Sequence, residues 1–181
     1  EREDLPDNTF FDELDKLAKD LPATRYGSIA KDRSRASQFQ IGSPAIDFTA
    51  TTTSGAAIDS KQLRGKAVLL VFWSAEDPHV SQLVDHLQQL AKQHGDDLAL
   101  VGIGLDADRD AFLAASKKLG VTFAQICDGS GLHTDVALRY GAEVVPTIVA
   151  IDRSGRIAGL NLQTDQKAAQ EELELAVQRA L

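Results

Sequence analysis

Seven consecutive apolar residues, AVLLVFW from Ala67 to Trp73, run into a polar turn, SAEDPHV, and then into a helical pattern. A continuous apolar run of this length, bounded by turn residues, is the pattern of a strand buried on both faces. Such a strand needs helices above and below its sheet, so the run points to an α/β sandwich. LALVGIGL, from Leu98 to Leu105, repeats the pattern.

The segments between these strands read as helices. Asp77-Pro78 opens one that runs to about His94, with Val80, Leu83, Val84, Leu87, Leu90 and Ala91 as its apolar stripe and Gly95 as its stop. RDAFLAASKKLG is a second helix, ending at Gly120, and LHTDVALRYG a third, closed by Gly141. VTFAQI is a short strand before the turn Asp128 to Gly131, and VVPTIVAID and RIAGLN form a hairpin around Asp152-Arg153-Ser154-Gly155. From Thr164 an amphipathic helix places Ala169, Leu173, Ala176, Val177 and Ala180 inward. Upstream, IDFTATTTSGAAI reads as two short strands about Ser54-Gly55, followed by a turn of helix, SKQLRG. The late hairpin makes the sheet mixed, and no glycine fingerprint of a dinucleotide fold follows any strand.

The first 40 residues have a different character. Residues 1–7 are acidic and read as loose. Residues 9–21 carry Phe10, Leu14, Leu17 and Leu21 at helical spacing, with Asn8 or Thr9 as cap and Pro22 as stop. Residues 23–40 are polar, with Arg25, Lys31, Arg33 and Arg35, and read as a linker or a strap laid over the domain. The expected division is residues 1–40 as helix and strap, and 41–181 as the α/β domain.

Composition narrows the partners. A net charge of −8 over 181 residues repels phosphate backbones and anionic lipid, which argues against nucleic-acid and membrane partners. The longest apolar runs are far short of the ~20 residues that a spanning helix needs. With no Met and a first residue Glu1, the chain reads as a processed or excised piece. Its one cysteine, Cys127, allows no intramolecular disulfide.

From about Gly42 onward the chain resembles the thioredoxin-like domains of the TlpA/ResA-like thiol-disulfide oxidoreductases, close to the redoxin and AhpC/TSA branch. IGSPAIDFTATTTSG, LRGKAVLLVFWS, ICDGSGLHTDVALRYGAEVVPT, VVPTIVAIDRSGRI and the C-terminal helix carry the resemblance. It implies a three-layer sandwich with a central mixed sheet, and a cis-proline at Pro146. It also implies a Cys-x-x-Cys at the start of the helix after the first core strand. Aligned on Phe72-Trp73, that motif falls on Glu76, Asp77, Pro78, His79 and Val80. Asp77 stands where the attacking cysteine belongs and Val80 where the resolving one belongs.

A carboxylate cannot form the mixed disulfide on which thiol exchange depends. The resemblance without the cysteine pair therefore implies a redox-inactive binding or structural module rather than an enzyme. By resemblance, Trp73, Val145, Pro146 and Thr147 would flank a groove for an extended peptide, or the proline would simply shape the fold. Relatives of this kind are mostly exported, so a periplasmic, cell-envelope or secreted location is expected. Asp77 also suits a helix cap, where orphan amides and the positive end of the dipole hold its charge.

Two other readings stay open. Cys127 would serve a one-cysteine thiol peroxidase or reductase if it were exposed beside a base, and would otherwise be a small buried hydrophobe. Asp77 and His79 would form part of a metal or small-ligand site. No pair among His79, His86, His94 and His133 has the i, i+4 spacing of a zinc helix, and neither metal nor cofactor is expected.

Overall fold

The computed structural model describes residues 9–162 and 167–181. The expected loose segment over residues 1–7, Asn8 as a cap, and Thr164 as the start of the last helix lie outside those residues. Strand β3 (Ala67–Trp73) is the centre of a five-stranded sheet. The flanking elements are α3 (Val80–His94), β4 (Leu98–Gly104), α4 (Arg109–Lys118), β5 (Ala124–Ile126), α5 (Asp135–Tyr140), β6 (Thr147–Ile151), β7 (Ile157–Leu162) and α6 (Lys167–Ala180). The strand order is β5-β4-β3-β6-β7, with β3, β4 and β5 parallel and β6 and β7 antiparallel to their neighbours. A separate hairpin of β1 (Thr49–Thr51) and β2 (Ala57–Asp59) turns at Ser54-Gly55, as its sequence predicts.

Every residue of β3 is buried, and its side chains alternate between two cores. Leu69, Val71 and Trp73 pack with Leu83, Val84 and Leu87 of α3 and with Leu173 and Val177 of α6. Val68, Leu70 and Phe72 pack on the opposite face with Val136 and Ala137 of α5, and with Phe48 ahead of β1. Each fully buried Leu, Val or Phe contributes about 1.5–3 kcal/mol relative to exposure. This two-sided burial is why the run carries no polar alternation. Among the described residues no helix is long and apolar enough to cross a membrane.

Three sequence expectations need correction. Residues 23–40 are not a polar strap: Arg25–Ala36 form a helix, α2, packed on α1 (Thr9–Asp20) and on α5. Thr24 caps α2, its hydroxyl accepting from the Gly27 amide at 3.1 Å. Its buried face is Gly27, Ile29, Ala30 and Ser34, with Ile29 the one large apolar residue, too few for an apolar periodicity to register. A Cβ at Gly27 would overlap the Leu21 carbonyl, so only glycine lets the chain double back there.

The third predicted helix is split. A 3-10 turn over Gly131–His133 precedes α5, and Thr134 joins them, donating from its hydroxyl to Asp128 Oδ1 at 2.9 Å and to the Gly131 carbonyl at 3.0 Å. Finally, α3 begins at Val80 rather than at Asp77-Pro78.

Candidate functional site

The site is built where β3 ends. Trp73 is buried, packs on the Phe112 ring at 4.8 Å between centroids, and donates from its indole N–H to Gln125 Oε1 at 3.0 Å. The Gln125 amide occupies the space over Gly102 on β4, where any side chain would collide with it. The end of the strand is thus held rigidly by a buried polar contact and two aromatic rings.

Beyond Trp73 the chain leaves the sheet through a hydrogen-bonded turn. Asp106, which follows β4 and is 8% exposed, accepts from the Ser74 hydroxyl at 3.0 Å and from the Ala75 amide at 3.1 and 3.2 Å. The Ser74 hydroxyl accepts in turn from the Glu76 amide at 3.1 Å. Asp106 is a residue that sequence reasoning missed. Its signal was a lone carboxylate directly after the apolar run LALVGIGL, at the same end of the sheet as the turn.

Asp77 does not cap α3. Its Oδ1 accepts from the His79 amide at 2.7 Å, closing a local turn one step ahead of the helix, and His79 is the N-cap without a side-chain capping bond. Pro78 has no amide to offer, so the carboxylate reaches the next donor along. The His79 imidazole lies 3.7 Å from Asp77 Oδ1 but is 65% exposed. Val80 is buried in the α3/α6 core, and Glu76 and Pro78 are exposed. Among the described residues no three His, Cys, Asp or Glu side chains gather as a metal site.

The Val145–Pro146 peptide bond is cis. The antiparallel register pairs Phe72 with Thr147, so one further step brings Pro146 level with Trp73 and Val145 level with Ser74. The ladder stops at Phe72, however, because Ser74 has turned away to Asp106. Neither the N–H nor the C=O of Val145 makes a hydrogen bond to another described residue. Thr147 Oγ1 donates to the Val144 carbonyl at 2.7 Å and steadies the loop from one side. The structure therefore brings Trp73, Val145, Pro146 and Thr147 to one end of the sheet.

Cys127 is elsewhere in chemistry, if not in distance. It is 4% exposed and packs in the core with Trp73 and Phe112. Burial pushes its thiol pKa up, against the amide of Gly129, while Asp106 and Asp128 push it the same way as burial and Arg109 opposes them. That is the environment of an inert thiol.

A mixed five-stranded sheet with α3, α4 and α6 on one face, the short α5 on the other, and a strand-turn-helix mouth beside a cis-proline defines a thioredoxin-fold domain. Residues 41–159 match the AhpC/TSA family, and the chain belongs to that family. It is 30% identical to the soluble secreted antigen MPT53 of Mycobacterium tuberculosis over 66% of each chain. It is 25% identical to the thiol-disulfide oxidoreductase ResA of Halalkalibacterium halodurans over 76% of this chain and 75% of that one. A solved thiol-disulfide oxidoreductase from Bacteroides fragilis superposes with a TM-score of 0.62 at 27% identity, covering 73% of this chain and 99% of that one.

Proposed function

We propose that this chain is a redox-inactive thioredoxin-fold binding module that takes an extended protein segment along Val145, beside Pro146. One observation carries the reading: the backbone N–H and C=O of Val145 bond to no other described residue, beside a turn that holds no cysteine. A half-buried edge of that kind gains about 0.5–1.5 kcal/mol for each hydrogen bond that a partner backbone supplies.

Asp77 and Val80, in the positions that the resemblance assigns to the two cysteines, have other uses: one closes a turn and the other fills core. No thiolate is present to attack a disulfide sulfur and none to resolve the product. The buried Cys127 does not support a peroxidase, since peroxide must meet an exposed thiolate. The name of the secreted relative supports an exported location. Residues 1–40 would then serve as an added clasp on a domain formed by 41–181. Neither nucleic acid nor a bilayer is among the partners proposed, given the charge of −8.

The test is an insulin-reduction assay with dithiothreitol, run beside calorimetric titration with unstructured peptides. No turnover above the dithiothreitol background and measurable peptide binding are expected. Turnover that depends on this chain would refute the inactive reading, and absence of binding to any peptide would refute the groove.

A further inference from the structure

The face of the sheet opposite α3 and α6 is thinly covered. Helix α5 is a turn and a half, and over β6 and β7 the covering layer is the α1–α2 hairpin. That hairpin is tied to α5 and the loop after it by ion pairs: Arg139 to Asp32, Arg25 to Asp135 at 3.1 Å, and Arg33 to Glu143. What remains between hairpin and sheet is a cleft of about 840 Å³, walled by Phe10, Phe39, Tyr140 and Leu160, with Val144 and Thr147 also in its lining. Its size falls within the roughly 300–1,000 Å³ of ligand sites.

We propose that this cleft takes an aromatic or large aliphatic side chain of the same extended segment whose backbone pairs with Val145, an inference that rests on the groove reading above. Continuity argues for a peptide. Val144 and Thr147, both in the cleft lining, flank Val145, whose backbone bonds to no other described residue. A free apolar molecule would fill the walls and leave that N–H and C=O unmet, whereas a peptide satisfies both and delivers a side chain into the cleft.

Strand β7 offers a second polar anchor at the same end of the sheet, where Leu162 pairs with Ile148, next to Thr147. Asn161 lines the cleft from β7, in a left-handed conformation (φ 52°) beside a bulge in the β6–β7 ladder, and its side-chain amide bonds to no other described residue. Val144, 64% exposed, gives the entrance an apolar lip. At the rim, Arg33 lies 5.2 Å over the Phe10 ring while it pairs with Glu143, so the hairpin wall is aromatic with its cation already occupied. An acidic side chain is therefore not the occupant that the site favours.

The experiment titrates the full ¹⁵N-labelled chain with two short Gly/Ser-rich peptides that differ only in a central Phe or Ala. The Phe peptide is expected to bind about tenfold more tightly, the return on burying one ring. Both should shift the Val145 amide, and the Phe peptide alone should shift Gly141 and Asn161. Ala36→Trp, on the α2 wall, should abolish the preference while the Val145 shift persists, with Ala36→Leu as a smaller plug if Trp does not fold. Equal affinities with shifts confined to Val145 would overturn the cleft and leave the groove standing. No shift at Val145 with either peptide would overturn both. If N-acetylphenylalanine amide alone bound as tightly as the Phe peptide, the cleft would be a small-molecule pocket and the peptide inference would fall.

Discussion

Two single side chains set local stability, one at the turn and one on α3. Asp106 joins β4 to the turn after β3 through three contacts with Ser74 and Ala75. Asp106→Ala leaves the Ala75 amide and the Ser74 hydroxyl without that acceptor, and is expected to cost about 1–3 kcal/mol in urea-induced unfolding. His86 on α3 has its Nε2 buried with no hydrogen-bond partner among the described residues. Burial lowers its pKa below 6.5, with Glu174 of α6 opposing. The unfolded chain therefore binds the proton more readily than the folded one. The stability tied to His86 is full above pH 6.5 and falls as pH drops through the depressed folded value. His86→Gln should flatten that slope below pH 6.5 in thermal melts.

Helices α2 and α5 show how one element is defined by another. Burial alone would raise the Asp135 pKa, but hydrogen bonds from Arg139 and then Arg25 outweigh it and hold the carboxyl low. Arg139 also reaches Asp32 and donates to the Ser28 hydroxyl at 2.9 Å, so a single guanidinium ties α5 to α2. The close turn between α1 and α2 depends on Gly27, where no Cβ fits beside the Leu21 carbonyl. Gly27→Ala is expected to loosen the α1–α2 hairpin while the sheet stays intact. Limited proteolysis should then cut faster within residues 9–36, with the main melting transition shifted little. Cleavage no faster than in the parent chain would show that the hairpin tolerates the added methyl.

The whole molecule keeps the thioredoxin scaffold while its one thiol sits in the core. If the mouth keeps its geometry, Asp77→Cys with Val80→Cys should form a disulfide on air oxidation and reduce insulin measurably. A pair that stays reduced would mean that the turn itself has changed, since Asp77 now closes a local turn and Val80 faces inward. The strands were legible because burial on both faces writes an unbroken apolar run, and the glycine stops at Gly95, Gly120 and Gly141 marked the helix ends. The helix at residues 25–36 was not, because its buried stripe of Gly27, Ile29, Ala30 and Ser34 holds one large apolar residue, and its partners lie on α1 and α5.

By itself, then, the amino-acid sequence determined the layered sheet, its mixed pairing and the lack of a cysteine pair, since these depend on local periodicity and residue identity. Only the tertiary structure decided that Asp106 braces the turn, that the Val145 backbone bonds to no other described residue, and that a cleft opens under the N-terminal hairpin. Arg33 and Glu143 meet across 110 positions of chain, and Ser74 and Asp106 across 32. Contacts at such separations come from how the layers pack, and no short window of residues records them.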